Sequence, residues 1–310
     1  MADAALALGA VLVGIWVVRL ALMRARARDY VMPAAPVAVV ALWKAAAAGG
    51  EAASFLAFYL QSGAVIGAVL TLVWLASLAR RDSSIMDIAY AAVVGVAAWV
   101  AALRDASFTP QAVVALVLVT LWSARLSLHL AVRNLPHGED PRYTRWRQRF
   151  GAHWWWWSYF QVFLLQGVLI WLWALPLHLA LWVHAEWHPL HAAAGLVFAV
   201  GFAFEAGGDW QLARFRADPA NRGKVLDAGL WRLTRHPNYF GEAVIWWSFW
   251  LLALAHPWGW ASVVCPLWVT WFMARDSATP MQERYLAKTK PGYADYVARV
   301  PAFVPWTRPG

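Results

Sequence analysis

Apolar side chains run through this chain in long blocks separated by short polar breaks. The blocks fall at about 3–23, 54–79, 84–103, 111–132, 155–183, 189–208, 239–255 and 257–274. Most approach the roughly 20 residues that a helix needs to cross a bilayer. The run 33–49 is Ala-rich, short and interrupted by Lys44, so it either spans or lies in the interface. The pattern predicts an all-α integral membrane protein: a seven-helix core bundle with one or two further N-terminal helices. Residues 1–53 form the N-terminal helical extension and 54–310 one membrane domain, with no internal repeat or low-complexity linker.

Composition removes the soluble alternatives. The chain is 62% hydrophobic and 14% charged, against about 25% charged in an ordinary soluble domain. Its 24 tryptophans include the run Trp154–Trp157 at the start of a block, which fits an aromatic belt. The net charge of +9 is explained by basic loops on the cytoplasmic side rather than by nucleic acid, since no soluble-looking domain interleaves basic and aromatic residues. Arg80 and Arg81, the loops 133–149 and 209–236, and the tail from Arg275 are basic, whereas the turns near 104–110, 184–188 and 256–257 carry only Arg104. The two sets alternate across seven spans, which predicts a multi-pass protein with its basic loops in the cytoplasm. A lone cysteine, Cys265, excludes a disulfide framework.

Polar side chains gather at the mouths of the spans. The densest stretch is GLWRLTRHPNYFGE, Gly229–Glu242, which packs Arg232, Arg235, His236, Asn238 and Glu242 into eleven residues. Pro237 favours a helix start there, and Glu242 follows Asn238 by one turn on the same face. Arg232 and Arg235 suit an anionic group. In RRDSSIMDIAY, Asp82 suits a surface charge or helix N-cap, while Asp87 lies inside a span. An intramembrane carboxylate points to function and needs a partner; Tyr90 shares its helix face, so the pair can deliver a proton. A structural pairing of Asp87 with Arg125 is the alternative.

Arg125, His129 and Arg133 form a ladder at four-residue spacing, ending at Asn134 and leading into GEDPRY (Glu139, Asp140, Arg142). Such a basic face suits a phosphorylated ligand, and its outer arginines equally suit anionic headgroups. In FEAGGDWQLARFR, Glu205 and Asp209 lie one turn apart with Arg216 two turns on, and Gly207 and Gly208 admit a ligand or a helix close to the backbone. Carboxylates here can accept ribose hydroxyls or an amide. Neither GxGxxG nor GxxxxGK[ST] occurs, so no Rossmann fold or P-loop is expected. His184 and His188 have metal-like spacing but lack HExxH, and no metal site is expected.

These motifs carry a resemblance. GLWRLTRHPNYFGE, GGDWQLARFR and the terminal ERYL…VPAFVPW resemble the C-terminal domain of steroid 5-alpha-reductase-like membrane proteins, whose bacterial branch also shows the RRDSSIMDIAY, LWSARLSLHL–RN and GEDPRY elements. RHPNYFGE is also similar to the sterol reductases of the lamin-B-receptor type, and a looser form occurs in isoprenylcysteine carboxyl methyltransferases. The resemblance covers about residue 60 to the end. It implies NADPH entering from the cytoplasm, with Asp209, Arg216, Asn238, Glu242, Trp246 and Tyr285 at cofactor positions and Glu205 where the family has Asn. Arg125, Arg133, Asn134, Arg235, His236 and Tyr239 complete the expected cofactor set. Asp87 stands in for the family's substrate-holding Glu, and Trp122 occupies the place of its Tyr. Because Trp cannot protonate a carbonyl oxygen, Tyr90 becomes the candidate proton donor, giving Asp87, Tyr90 and Trp122 as the catalytic expectation.

The expected function is an NADPH-dependent membrane reductase transferring hydride to an activated C=C bond of a lipophilic, steroid-like or other enone substrate. The alternative is an S-adenosylmethionine-dependent membrane methyltransferase, for which the arginines would be over-supplied. A lipid-binding or scaffold role is a third class. Membrane lipids and a lipophilic small molecule are the expected partners, and nucleic acid is not.

Overall fold

The structure, a computed structural model, describes residues 50–306 except 106, 107, 184 and 277. The blocks at 3–23 and 33–49, and His184, lie outside the described residues. Helices are the regular secondary structure of the described residues, with no strand among them. Among the described residues four helices are long and apolar enough to cross a membrane, as a membrane protein requires. They are α1 (Gly50–Arg80), α2 (Ile85–Asp105), α3 (Pro110–Asn134) and α8 (Pro189–Ala217). A fifth candidate is bent. The short helix α4 (Pro141–Phe150) leads through α5 (Trp154–Ser158), a π-helical stretch Tyr159–Leu164 and α6 (Leu165–Trp173) into α7 (Leu175–Trp182), with a 51° bend at the break.

Local chemistry accounts for the ends and breaks. Arg81 adopts φ 54° after α1, so that its N–H and that of Asp82 reach back to the carbonyls of Leu78 and Ser77, a Schellman-type stop. Asp82 then accepts from the backbone N–H and hydroxyl of Ser84, which starts α2. At the bend, Pro176 has no N–H for the carbonyl of Leu172. The neighbouring carbonyl of Trp171 takes the Tyr59 hydroxyl at 2.8 Å instead, and the Trp171 indole N–H returns a bond to the Tyr59 carbonyl. The expected single span 155–183 is therefore two helices joined at Ala174.

After α8 come α9 (Pro237–Ala253), α10 (Val264–Trp271), α11 (Ala278–Thr289) and α12 (Tyr293–Arg299). The expected span 257–274 is not one helix: a 3-10 turn over Gly259–Val263 precedes α10, and a π-helical stretch Phe272–Asp276 follows it. Pro257 and Pro266 explain the interruption.

The chain forms two compact units. The first holds the described residues up to 105 together with 126–178; the second holds 108–125 and 179–306. Within the second, α8 and α9 cross at glycines. A Cβ on Gly201 would sit 2.7 Å from the Gly241 carbonyl oxygen, and one on Gly241 would collide with the backbone of Gly201 and Glu205. Gly208 packs in the same way on Pro237 and Asn238. These glycines let the helices touch backbone to backbone, the small-residue packing common between helices in membranes. Gly207 lies against Leu230, so the glycine pair receives neighbouring chain rather than a ligand.

Candidate functional site

The α8–α9 crossing assembles a buried polar cluster in the second unit. Arg125, near the middle of α3, donates from Nη1 to Glu205 Oε1 at 2.8 Å. Its Nη2 donates to Asp209 Oδ2 at 2.6 Å and to the Glu205 carbonyl at 3.1 Å. Asn238, in the first turn of α9, donates from Nδ2 to Asp209 Oδ1 at 3.0 Å. Glu205, Asp209 and Glu242 are 2%, 6% and 8% exposed, and Glu242 and Asp209 are both close enough for like-charge repulsion with Glu205.

Two tryptophans wall this cluster. Trp122 and Trp246 are fully buried and meet edge-to-face at 5.5 Å, with Phe249 against both. Trp122 also lies near the Glu205 carboxyl. Glu205 Oε2 and the Trp246 indole N–H are buried and make no hydrogen bond of normal geometry among the described residues. The Trp122 indole still acts on the Glu205 carboxyl, so the Trp246 N–H is the donor left over beside this acid-rich cluster, polar capacity that a ligand can use.

The first unit has a second cluster, built on the GEDPRY loop. Asp87 is bound by Arg142, Nη2 to Oδ2 at 2.7 Å, and by the Tyr143 hydroxyl, which donates to Oδ1 at 2.6 Å. Asp140 caps α4 by accepting from the Arg142 backbone N–H, and also takes the Arg142 side chain. Glu139 accepts the Ser83 backbone N–H and both Nε and Nη2 of Arg147. Burial would push the Glu139 carboxyl up, but the Arg147 guanidinium and the Ser83 N–H outweigh it and hold the group below its ordinary value. Asp140 is held low in the same way by Arg142.

Three corrections follow. The partner of Asp87 is Arg142, not Arg125, which is taken by Glu205 and Asp209. Asp87 also takes the hydroxyl of Tyr143, a phenol absent from the sequence expectation. Arg142 and Arg147 are occupied by carboxylates, so they do not form an open phosphate groove.

Arg235 requires a fourth. Only 4% exposed, it donates from Nε to Glu283 Oε1 at 2.6 Å and from Nη1 to the carbonyls of Val297 and Val300. Its backbone N–H bonds the Pro301 carbonyl, and Thr234 bonds the carbonyls of Ala302 and Phe303. Arg235 therefore clamps the C-terminal tail and is not open to a phosphate. His236 Nε2 lies 3.4 Å from the same Glu283 oxygen, and its ring stacks on Tyr239. Burial pulls the His236 imidazole down. Burial alone would raise Glu283, yet His236 and Arg235 bring it down to about 2. Sequence reasoning passed over Glu283; its only signal was an acid in a basic tail that also carries the quoted ERYL motif.

The remaining candidates are dispersed. Arg133 is exposed and bonds Asn134 at 2.8 Å, and Arg216 is exposed near the end of α8. Tyr285 is 63% exposed on α11, so the structure does not bring its ring into the cluster. Trp154 faces inward and donates to Ser83 Oγ at 3.1 Å, leaving Trp155 as the exposed member of the tryptophan run. His188 and His191 cap α8: Nδ1 of each accepts a backbone N–H, from Leu190 and His188 respectively. Among the described residues no group of three or more His, Cys, Asp or Glu is arranged to hold a metal ion.

Comparison with known proteins gives one match. The family described as "Protein of unknown function (DUF1295)" matches residues 73–300, a stretch that contains both polar clusters. No curated protein and no solved structure matches the chain.

Proposed function

This chain belongs to the DUF1295 family, a membrane family related to steroid 5-alpha-reductase-like proteins, and from that premise we propose that it is an NADPH-dependent membrane reductase. It would act on an activated C=C bond of a lipophilic substrate. The observation that carries this reading is the acid-rich cluster Arg125–Glu205–Asp209–Asn238–Glu242 inside apolar helices. Three buried carboxylates gathered about one arginine suit the ribose hydroxyls and carboxamide of a nicotinamide cofactor, which can donate to them.

Glu205, Asp209 and Glu242 would accept those donors, and Asn238 would hold Asp209 in place. Arg125 keeps the carboxylates from repelling one another. Trp122, Trp246 and Phe249 exclude water, which strengthens every polar contact inside and protects a hydride from loss to solvent. When bound, the cofactor supplies a hydride to carbon. The phosphates, being outside the apolar layer, would fall to exposed cations such as Arg216.

A second reading gains from the same geometry. Arg235 is taken by the tail and Arg125 by two carboxylates, so the surplus of cations that disfavoured S-adenosylmethionine is smaller than the sequence suggests. Buried carboxylates also suit an ammonium group. Methyl transfer from S-adenosylmethionine is therefore retained as the rival.

The test is thermal stabilisation of the detergent-purified protein by NADPH, NADH and S-adenosylmethionine, with Asp209→Asn beside the wild type. A ligand that binds the native state raises its apparent stability by mass action. The reductase reading expects a shift with NADPH that shrinks in Asp209→Asn. A shift with S-adenosylmethionine alone transfers the assignment to methyl transfer, and no shift with any of the three overturns both.

A further inference from the structure

The first unit keeps a set of arginines that its carboxylates do not use. Segments 80–87 and 133–149 contain seven arginines and four carboxylates. Each carboxylate is engaged within the unit: Asp82 by Ser84, Asp87 by Arg142 and Tyr143, Asp140 by Arg142, Glu139 by Arg147. Arg81, Arg133, Arg145 and Arg149 are exposed, and no ion pair joins them to a carboxylate among the contacts described. Arg145 bonds only the Pro141 carbonyl of its own helix, and Arg149 lies over the Phe150 ring.

These side chains share one end of the unit. The 82–84 turn is bonded to Glu139, Arg147 and Trp154, and Arg133 is close enough to Asp140 to act on its charge. Apolar side chains stand beside them: Leu135 is 45% exposed, Trp155 59% and Phe160 44%. Trp155 and Phe160 lie where α4 turns into the candidate span, and the Trp155 carbonyl is fixed by the Trp74 indole. Exposed tryptophan beside guanidinium groups at the start of a span is the chemistry of the headgroup layer.

We propose that this end of the first unit is a binding surface for anionic phospholipid, with Arg145 and Arg149 on α4 as its principal phosphate contacts and Arg81 and Arg133 beside them. Guanidinium forks match the phosphate oxygens, while Trp155 and Leu135 meet the adjoining acyl boundary. A free soluble phosphate would satisfy the arginines but leave those apolar side chains in water, so the lipid is the better partner. The closed pairing of Arg142 and Arg147 holds α4 in place, and the unpaired arginines do the binding.

The test uses the full chain in nanodiscs of zwitterionic phospholipid with or without a fraction of anionic phospholipid. Retention of the anionic lipid and thermal stability are measured for wild type and for Arg145→Gln/Arg149→Gln. Each cation near an anionic surface changes affinity by about fivefold, so the double variant should retain anionic lipid about 30-fold less strongly. Its stability in purely zwitterionic discs should equal that of the wild type, because neither side chain is part of the internal pairing. Added salt should weaken the wild-type effect. Equal anionic-lipid retention by the two proteins overturns the proposal. So does stabilisation of the wild type in detergent by inorganic pyrophosphate to the same degree as by the lipid, which would mark a soluble phosphate site.

Discussion

The two buried polar clusters differ in how their charges close. In the first unit two arginines serve three acids: Glu139 meets Arg147, while Arg142 spans Asp87 and Asp140, and the Tyr143 hydroxyl completes Asp87. Asp87 and Arg142 are also 23% and 38% exposed, so water shares the load. In the second unit Glu205 and Asp209 share Arg125, with Glu242 close by, and Glu205 and Asp209 are almost wholly buried. A network in which each acid has its own bonded partner, placed on a loop and a short helix, holds structure. An acid-rich network held between helices carries a cost in the free protein that a bound donor can offset. The second cluster is the better candidate for chemistry, although both hold a carboxylate on a helix long and apolar enough to cross a membrane.

Removing the arginines breaks the comparison most directly. Arg125→Gln strands buried carboxylates and should destabilise by about 4 kcal/mol. Arg142→Gln removes a half-exposed partner and should cost about 1 kcal/mol. Thermal unfolding of both variants in one detergent measures the gap, and equal losses would remove the distinction. Next in size is Gly241→Ala, which drives a methyl group into the backbone of α8 beneath the second cluster. It should cost about 3 kcal/mol, whereas Gly67→Ala, in open space on α1, should be neutral or slightly stabilising. Carboxylate neutralisation gives a smaller but more pointed contrast. Asp87→Asn weakens a matched pair and should lower stability, while Glu205→Gln relieves repulsion and should hold or raise it. Each change should be about 1 kcal/mol, and a loss in Glu205→Gln as large as in Asp87→Asn would contradict the excess-acid reading.

The helices and the polar mouths were largely legible in the sequence, because apolar length and charged breaks are local properties. Asp87, Asp209, Asn238 and Glu242 stood out for the same reason: each is polar inside or beside an apolar block. Partner choice was less legible. Asp87 has Arg125 at 38 residues and Arg142 at 55, and only the docking of the 139–142 loop on the 82–84 turn decides between them. Arg235 looked like a ligand contact because its partner Glu283 lies 48 residues away, on α11. The bend at Ala174 had a visible sign in Pro176, but the π-helical stretch before it depends on packing that no local pattern records.

The clamp formed by Arg235, His236 and Glu283 extends the comparison to pH. The Glu283 carboxyl is depressed from 4.5 to about 2, so its folded form binds protons less readily than its unfolded form. Its contribution to stability is complete above 4.5 and declines as pH falls from there toward 2. The neutral His236, also held low, acts in the same direction as pH falls below its ordinary 6.5. Glu283→Gln should therefore flatten the acid limb of the melting temperature against pH over 4.5 to 2. An unchanged acid limb would mean that the clamp does not govern it.

The smallest effect expected is at Arg81, in the turn that carries the first cluster. Its φ of 54° lies in the left-handed region, where a side chain costs about 1 kcal/mol relative to glycine. The backbone N–H groups that stop α1 do not involve the Arg81 side chain, so glycine can make the same bonds with less strain. The more flexible unfolded chain takes back part of that gain. Arg81→Gly should thus raise stability by about 0.5 kcal/mol, whereas Arg81→Ala, which keeps the Cβ, should not. The same glycine variant also removes one cation from the proposed lipid surface. A gain seen in zwitterionic discs but cancelled in anionic ones would therefore separate the turn's backbone strain from the arginine's role at the membrane.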